Sequence, residues 1–191
     1  MFSTEGAQQM IRTEIFLEPL TEDDREQFIH DNQWAFKHGA LIEFGERDNH
    51  LDFAGEIISR KTIETCIDDA ENVTYRIVRD GKKVGGVILK IDHATQHNHL
   101  EILFVSPEAH GEGIGYDAWC AVEKLYPETR VWETCTPYFE KRNIHFYVNK
   151  CGFHIVEFYN SFNAGLNMPE DDKSEGPDEM FRFEKVMKSG T

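Results

Sequence analysis

The sequence predicts a mixed α+β fold in a single domain, with elements in the order β-α-α-β-β-β-α-β-α-β-β. Three observations carry this. Apolar residues make up 40% of the 191 positions and aromatics 12%, enough for one sizeable core. Stretches of alternating apolar residues are interleaved with stretches of helical spacing, and no repeat runs through them. An Asp80-Gly81 pair between two β-rich runs marks a tight antiparallel hairpin.

Residues 1–12 read as a flexible leader ahead of a domain at 13–188, with Met10 as an alternative start. TEIFLEPL (13–20) alternates and is rich in strand formers. Thr21 then caps a helix, EDDREQFIHDNQWAF, whose first-turn acids complement the helix dipole. Residues 57–69 predict a second helix, with Ile58, Thr62, Thr65 and Cys66 at helical spacing. TYRIVRDGKKVGGVILKID supplies the hairpin strands, and HLEILFVS (99–106) a further strand that Pro107 ends. A glycine loop and a helix to about Tyr126 follow, with Trp119, Val122 and Tyr126 on one face and Pro127 as its stop. RVWETCTPYF is a strand, KRNIHFYVNKCG a short helix closed by Gly152, and FHIVEFYN and MFRFEKVM the last strands. Between those two, residues 166–179 form an acidic, turn-rich surface loop.

Composition narrows the function. A net charge of −15 repels phosphate backbones and anionic lipid, which argues against nucleic acid and membrane and for cationic small molecules. No apolar run is long enough to span a bilayer. The four cysteines are scattered without a CxxC pair, as suits reduced thiols in a cytoplasm. Cys120 and Cys151 read as small buried side chains, and Cys135 as a strand residue near the functional site. His93, His97, His99 and Glu101 crowd one segment, but no second ligand segment is evident, so no metal is expected.

The stretch with the most chemistry in it is HGEGIGYDAW, residues 110–119. A strand, a glycine loop and a helix start make an anion cradle: the N–H groups of Gly111, Glu112, Gly113, Ile114 and Gly115 can converge on a phosphate. The loop lacks the lysine and hydroxyl of a GxxxxGK[ST] loop, and it lies past mid-chain, unlike a dinucleotide fingerprint in a first βα unit.

LEILFVSPEAHGEGIGYDAW and the downstream FYVNKCGF together resemble the GNAT superfamily of N-acetyltransferases. The first stretch is similar to that family's strand, proline and [RQ]xxGx[GA] motif; the second is similar to its helix-to-strand "FY…GF" step. The resemblance implies a GNAT-like, mostly antiparallel central sheet flanked by helices over 13–188. It also implies transfer of an acetyl group from acetyl-CoA to an amine. The diphosphate would lie on residues 110–115, with His110 in the slot usually held by Arg or Gln and Glu112 where a basic residue is common. Both departures lower the positive charge beside the diphosphate. The pantetheine arm would pair with the backbone of Leu103, Phe104 and Val105, where a main-chain N–H can stabilise an oxyanion. Homodimerisation is a habit of the family.

For proton transfer, Tyr147 is the expected general acid, five residues before Gly152 where the family often has four. Asn143, one helical turn earlier, would share its site. His99 and Glu101 occupy alternate positions of one strand, so their side chains share a face, and either can serve as base or, for Glu101, hold an ammonium. Trp34, Phe36 and Phe44, with Glu43 or Glu46, would wall an acceptor pocket. The reading is an acetyl-CoA-dependent N-acetyltransferase of a small cationic amine. A peptide or protein N-acetyltransferase, or a non-catalytic acyl-CoA-binding module, is the alternative.

Overall fold

A computed structural model describes residues 14–44, 55–163 and 179–188. The expected leader and, apart from Glu179, the expected acidic loop lie outside the described residues, as does Glu46; the side chains of Glu43 and Phe44 do too. The elements come in the expected order: β1 (Ile15–Pro19), α1 (Arg25–Phe44), α2 (Arg60–Asp68), β2 (Asn72–Arg79), β3 (Lys82–Lys90), β4 (His97–Val105), α3 (Ile114–Leu125), β5 (Val131–Pro137), α4 (Lys141–His145), β6 (His154–Tyr159) and β7 (Met180–Val186). The seven strands form one sheet in the order β1-β2-β3-β4-β5-β7-β6, antiparallel at every step except β4–β5. The mixed, mostly antiparallel α+β fold is therefore as the sequence predicts.

Local details depart from expectation for physical reasons. Thr21 makes no side-chain cap; it opens a 3₁₀ turn at Glu22–Asp24, and its carbonyl accepts the Asp24 N–H at 3.0 Å. The helix cap that does form is Ser59, whose hydroxyl accepts the Thr62 N–H at 3.0 Å and starts α2. The inward face of α2 is Ile63 with Cys66 and Ile67, while Thr62 and Thr65 point to solvent. Asp80 and Gly81 both have positive φ, +53° and +70°, as a type I′ hairpin turn requires. The helix after β5 leaves α geometry after His145 and closes as a wide π turn over Phe146–Cys151.

Two apolar layers cover the sheet. On one face Phe28 and Ile29 of α1 and Ile63 of α2 pack on Ile88, Ile102 and Phe104. On the other, α3 and the π turn bury Trp119, Val122, Tyr147 and Cys151 against Leu89, Leu100, Trp132, Phe153 and Phe183. The Trp119 and Trp132 rings meet edge to face at 5.4 Å, an arrangement that adds to area burial. Gly86 allows α1 to come this close: a Cβ there would stand 2.3 Å from the Phe28 ring and 2.6 Å from the Phe104 ring.

Beside that face sits a buried charge cluster. Arg76, 2% exposed, donates from Nε to Asp24 at 2.7 Å and from Nη1 to Asp31 at 2.9 Å. Its guanidinium lies 5.0 Å from the Phe28 ring centroid, and Lys83 reaches Asp24 at 2.9 Å. Burial alone would raise the Asp24 carboxyl, but the bonds from Arg76 and Lys83 hold it below the usual carboxylate range. The cluster ties α1 to β2. Arg76→Ala leaves Asp24 buried without its main partner and is expected to cost about 3–5 kcal/mol, read as a lowered urea midpoint at unchanged slope.

Candidate active site

The site forms where the sheet divides. β4 and β5 pair only at His97–Val131, Asn98–Trp132 and His99–Glu133. Beyond these, β5 gives its other edge to β7 along its whole length, while β4 stays on β3 through Val105. The two strands part, and the edge of β4 at Leu103–Val105 is left uncovered by β5. At the base of the fork the Thr134 hydroxyl donates to the Leu100 carbonyl at 2.9 Å. A β-bulge at Glu101 accompanies the parting: Leu89 pairs with Leu100 and Ile88 with Ile102, skipping Glu101. The bulge sends Leu100 to the core under α3 and Ile102 and Phe104 to the core under α1. It has no signature in residue type, which is why the sequence did not reveal it.

A cavity of about 620 Å³ opens along the upper fork, walled by α1, β4, the glycine loop, the start of α3 and α4. Leu103, Phe104, Val105, His110, Gly111, Gly113, Ile114, Gly115 and Asn143 all line it. Glu112 does not; its carboxylate turns away to Arg79. Gly113 caps α3 at φ +77°, a conformation costly for a residue with a Cβ, and it lines the opening with Gly111, Ile114 and Gly115. The N–H groups of Ile114, Gly115 and Tyr116 belong to the first helical turn, where no intrahelical carbonyl reaches them. Phe36 lines the cavity, whereas Trp34 is 45% exposed and faces His38 at 5.9 Å.

His110 closes the seam between loop and strand. Its Nε2 lies 2.9 Å from the Val105 carbonyl, and its Nδ1 lies 3.3 Å from Nη2 of Arg142. A carbonyl only accepts and a guanidinium only donates, so Nε2 carries the proton and Nδ1 is the acceptor. Burial, outweighing the bond to Val105, holds the imidazole pKa below its ordinary value and keeps the ring neutral at pH 7.

Two side chains near the site are placed as follows. Tyr147 does not line the cavity, and neither do His99 and Glu101. The Tyr147 ring packs between Phe153 and Phe183 at 5.7 and 5.5 Å, its hydroxyl turns to Thr134, and burial pushes its pKa up to about 12. The π turn takes up the extra residue that separates Tyr147 from Gly152. Cys120, read from the sequence as buried, is exposed on α3, whereas Cys151 is buried and its thiol is pushed up to about 12 by that burial.

His99 and Glu101 do share a face, with Nδ1 and Oε1 3.1 Å apart, off the line of a good hydrogen bond but at ion-pair distance. The His99 Nε2 stands 3.7 Å from Glu133, and the ring also contacts the Cys135 thiol. Burial alone would lower this histidine; its contacts with Cys135 and Glu101 overturn that and raise it to about 9. The imidazolium in turn holds Glu101 below the usual carboxylate range. His97 does not join the other histidines. It meets Glu133 and Glu184, brought in by β5 and β7, with one ligand atom of each within 4.8 Å. The Arg182 guanidinium takes those carboxylates, 2.8 Å from Glu133, and reaches Glu157 at 3.1 Å.

The model of the Acetyltransferase (GNAT) family matches residues 17–153. The chain is 45% identical over 179 residues to YrkN of Bacillus subtilis (strain 168), described as uncharacterized, covering 91% of this chain and 94% of that protein. Among solved structures it is similar to an acetyltransferase from Thermus thermophilus, at 14% identity and a TM-score of 0.63, over 91% of this chain and 97% of that one. The ribosomal-protein-S18-alanine N-acetyltransferase of Escherichia coli gives 13% and 0.63, over 93% and 96%. The spermidine N-acetyltransferase of Vibrio cholerae, solved with CoA and spermine, gives 13% and 0.62, over 91% and 95%. Among the described residues no helix is long and apolar enough to cross a membrane.

A histidine raised on folding contributes stability that is whole below its free value of 6.5 and is lost as pH rises through about 9. His99→Gln should therefore remove on the order of 2 kcal/mol of stability at pH 6 and almost none at pH 10, in paired urea titrations. Tyr147→Phe should cost about 1 kcal/mol of stability, the value of one hydrogen bond, and leave turnover close to that of the parent.

Proposed function

From the premise that the chain belongs to the GNAT acetyltransferase family, we propose that it moves an acetyl group from acetyl-CoA to the primary amine of a small cationic molecule. The observation that carries this reading is the fork: an uncovered strand edge and an open glycine loop on one side, the His99–Glu101 pair at its base. An extended arm ending in a diphosphate suits such a cavity in shape and in donors. Acetyl-CoA, when bound, supplies an acyl group already activated as a thioester.

The chain's own groups do the rest. The N–H groups of residues 111–115 and the start of α3 hold the diphosphate. The edge of β4 at Leu103–Val105 receives the pantetheine arm as an added strand, with one lone pair of the Val105 carbonyl already taken by His110. A main-chain N–H of that edge donates to the acyl oxygen as charge develops on it. Asn143 stands on the opposite wall and fixes the arm from the α4 side.

The acceptor approaches from the face that carries His99, Glu101 and Cys135. A free alkylamine has a pKa near ~10 and arrives as an ammonium ion. Glu101, a carboxylate throughout the working range, holds that ammonium and accepts its proton through water. His99, an imidazolium at neutral pH, returns a proton to the departing thiolate. Tyr147, the acid expected from the sequence, is buried with its hydroxyl toward Thr134 at the base of the same fork, and substitution of each residue separates the two donors. The net charge of −15 favours a cationic acceptor over an anionic one, and four free thiols suit a reducing cytoplasm.

Thiol release from acetyl-CoA, measured across a panel of free diamines, polyamines, monoamines and peptide N-termini, tests the reading. Turnover is expected with the free cationic amines. The kcat/KM should fall above about pH 9 as His99 loses its proton, and His99→Gln should abolish that falling limb. Glu101→Gln should lower kcat/KM by roughly 10²–10⁴, the usual range for a proton-transfer group. Preference for peptide N-termini would move the acceptor to the protein class; CoA binding with no turnover on any amine would make the chain a binding module.

A further inference from the structure

The glycine loop is short of the charge its task calls for. Between Glu108 and Gly115 it carries two carboxylates, Glu108 and Glu112, and one histidine that its partners keep neutral. Glu112 draws Arg79 to itself, outside the cavity wall. A diphosphate on that loop would meet backbone dipoles but no cation from the loop itself.

The cations on the cavity wall come from elsewhere. Among the described residues lining it, they are Arg142 at the first turn of α4 and Lys150 on the π turn. Arg142 crosses the opening: Nη2 is 3.3 Å from Nδ1 of His110 on the loop, and Nη1 lies 4.0 Å from where a Cβ of Gly39 on α1 would be. The guanidinium thus stands over the glycine loop, between α1 and α4. Only a neutral ring with an unprotonated Nδ1 can accept from it, and the Val105 carbonyl fixes that tautomer through Nε2. An arginine in the place of His110 would lack this acceptor.

We propose that Arg142, positioned by His110, is the cation that neutralises the carrier's diphosphate, so that α4 and not the glycine loop supplies the charge. The proposal deepens the acyl-CoA reading and rests on it. A guanidinium forks two N–H donors onto a phosphate in fixed geometry, whereas a lysine acts as a point charge, so Arg142 carries more of the task than Lys150. His110 is a positioning residue: it touches Arg142 and Val105 and reaches the diphosphate only through them. The arrangement accounts for a histidine where the family motif usually has arginine or glutamine, because the charge has been moved to another element and the loop residue has become its rest.

Calorimetric titration of the full chain with CoA and with pantetheine, which lacks the phosphates, tests this without turnover. Arg142→Ala should weaken CoA roughly 10- to 100-fold, the range for hydrogen bonds to charged groups, and leave pantetheine unchanged. Arg142→Lys should fall between, keeping the charge and losing the fork. His110→Ala should weaken CoA in the parent and have little further effect in the Arg142→Ala background, since the two act as one unit. If the parent binds CoA and Arg142→Ala binds it equally well, or if CoA and pantetheine weaken together, or if the two substitutions add fully, the assignment fails while the acyl-CoA reading stands. If the parent binds no CoA, both fail.

Discussion

Everything at the site follows from one shortfall in hydrogen bonding: β4 and β5 share three residue pairs and then part. Each strand is fully engaged on its other side, β4 with β3 and β5 with β7, so neither can close the gap without giving up a ladder it already has. A backbone edge that has lost its partner carries N–H and C=O groups that must be satisfied by something. Such an edge suits an extended, amide-bearing ligand that pairs as an added strand. The same parting places a bulge at Glu101 and brings His99 beside Glu133 and Cys135, so the geometry that opens the binding edge also assembles the titrating groups.

The electrostatics divide along the fork in the same way. At its base the Cys135 thiol and the Glu101 carboxylate face His99 and raise it, so that it remains protonated at neutral pH. At its mouth the loop histidine is neutral because burial penalises its charge and because both of its nitrogens are already committed. Two histidines on the same stretch of chain, His99 and His110, thus sit in opposite protonation states, and the difference lies in what their neighbours donate or accept.

Much of this was legible in the sequence, and the parts that were not have a common cause. Element order, the Asp80-Gly81 turn and the glycine loop were readable because each is decided within a few residues. His99 and Glu101 were found together because strand alternation is a local rule. The bulge at Glu101, the Arg182 cluster and the crossing of Arg142 to His110 were not readable, because each depends on a pairing between residues far apart in the chain. Tyr147 shows a subtler limit. Gly152 follows it by five residues where the family often has four, and the π turn at Phe146–Cys151, invisible in residue type, is what takes up the extra one.

The fork has a mechanical side as well. β1–β4, with α1 strapped on through the Arg76 cluster, form one stiff plate, and β5–β7 form another. Stiffness across a sheet comes from its ladder bonds, and at this seam the ladder is three rungs long. Beneath the seam the two plates share one core, in which Leu89 and Leu100 pack with Trp132 and Phe183 around Trp119, and Thr134 bonds Leu100 across it. The base of the fork is thus pinned from below as well as along its short ladder.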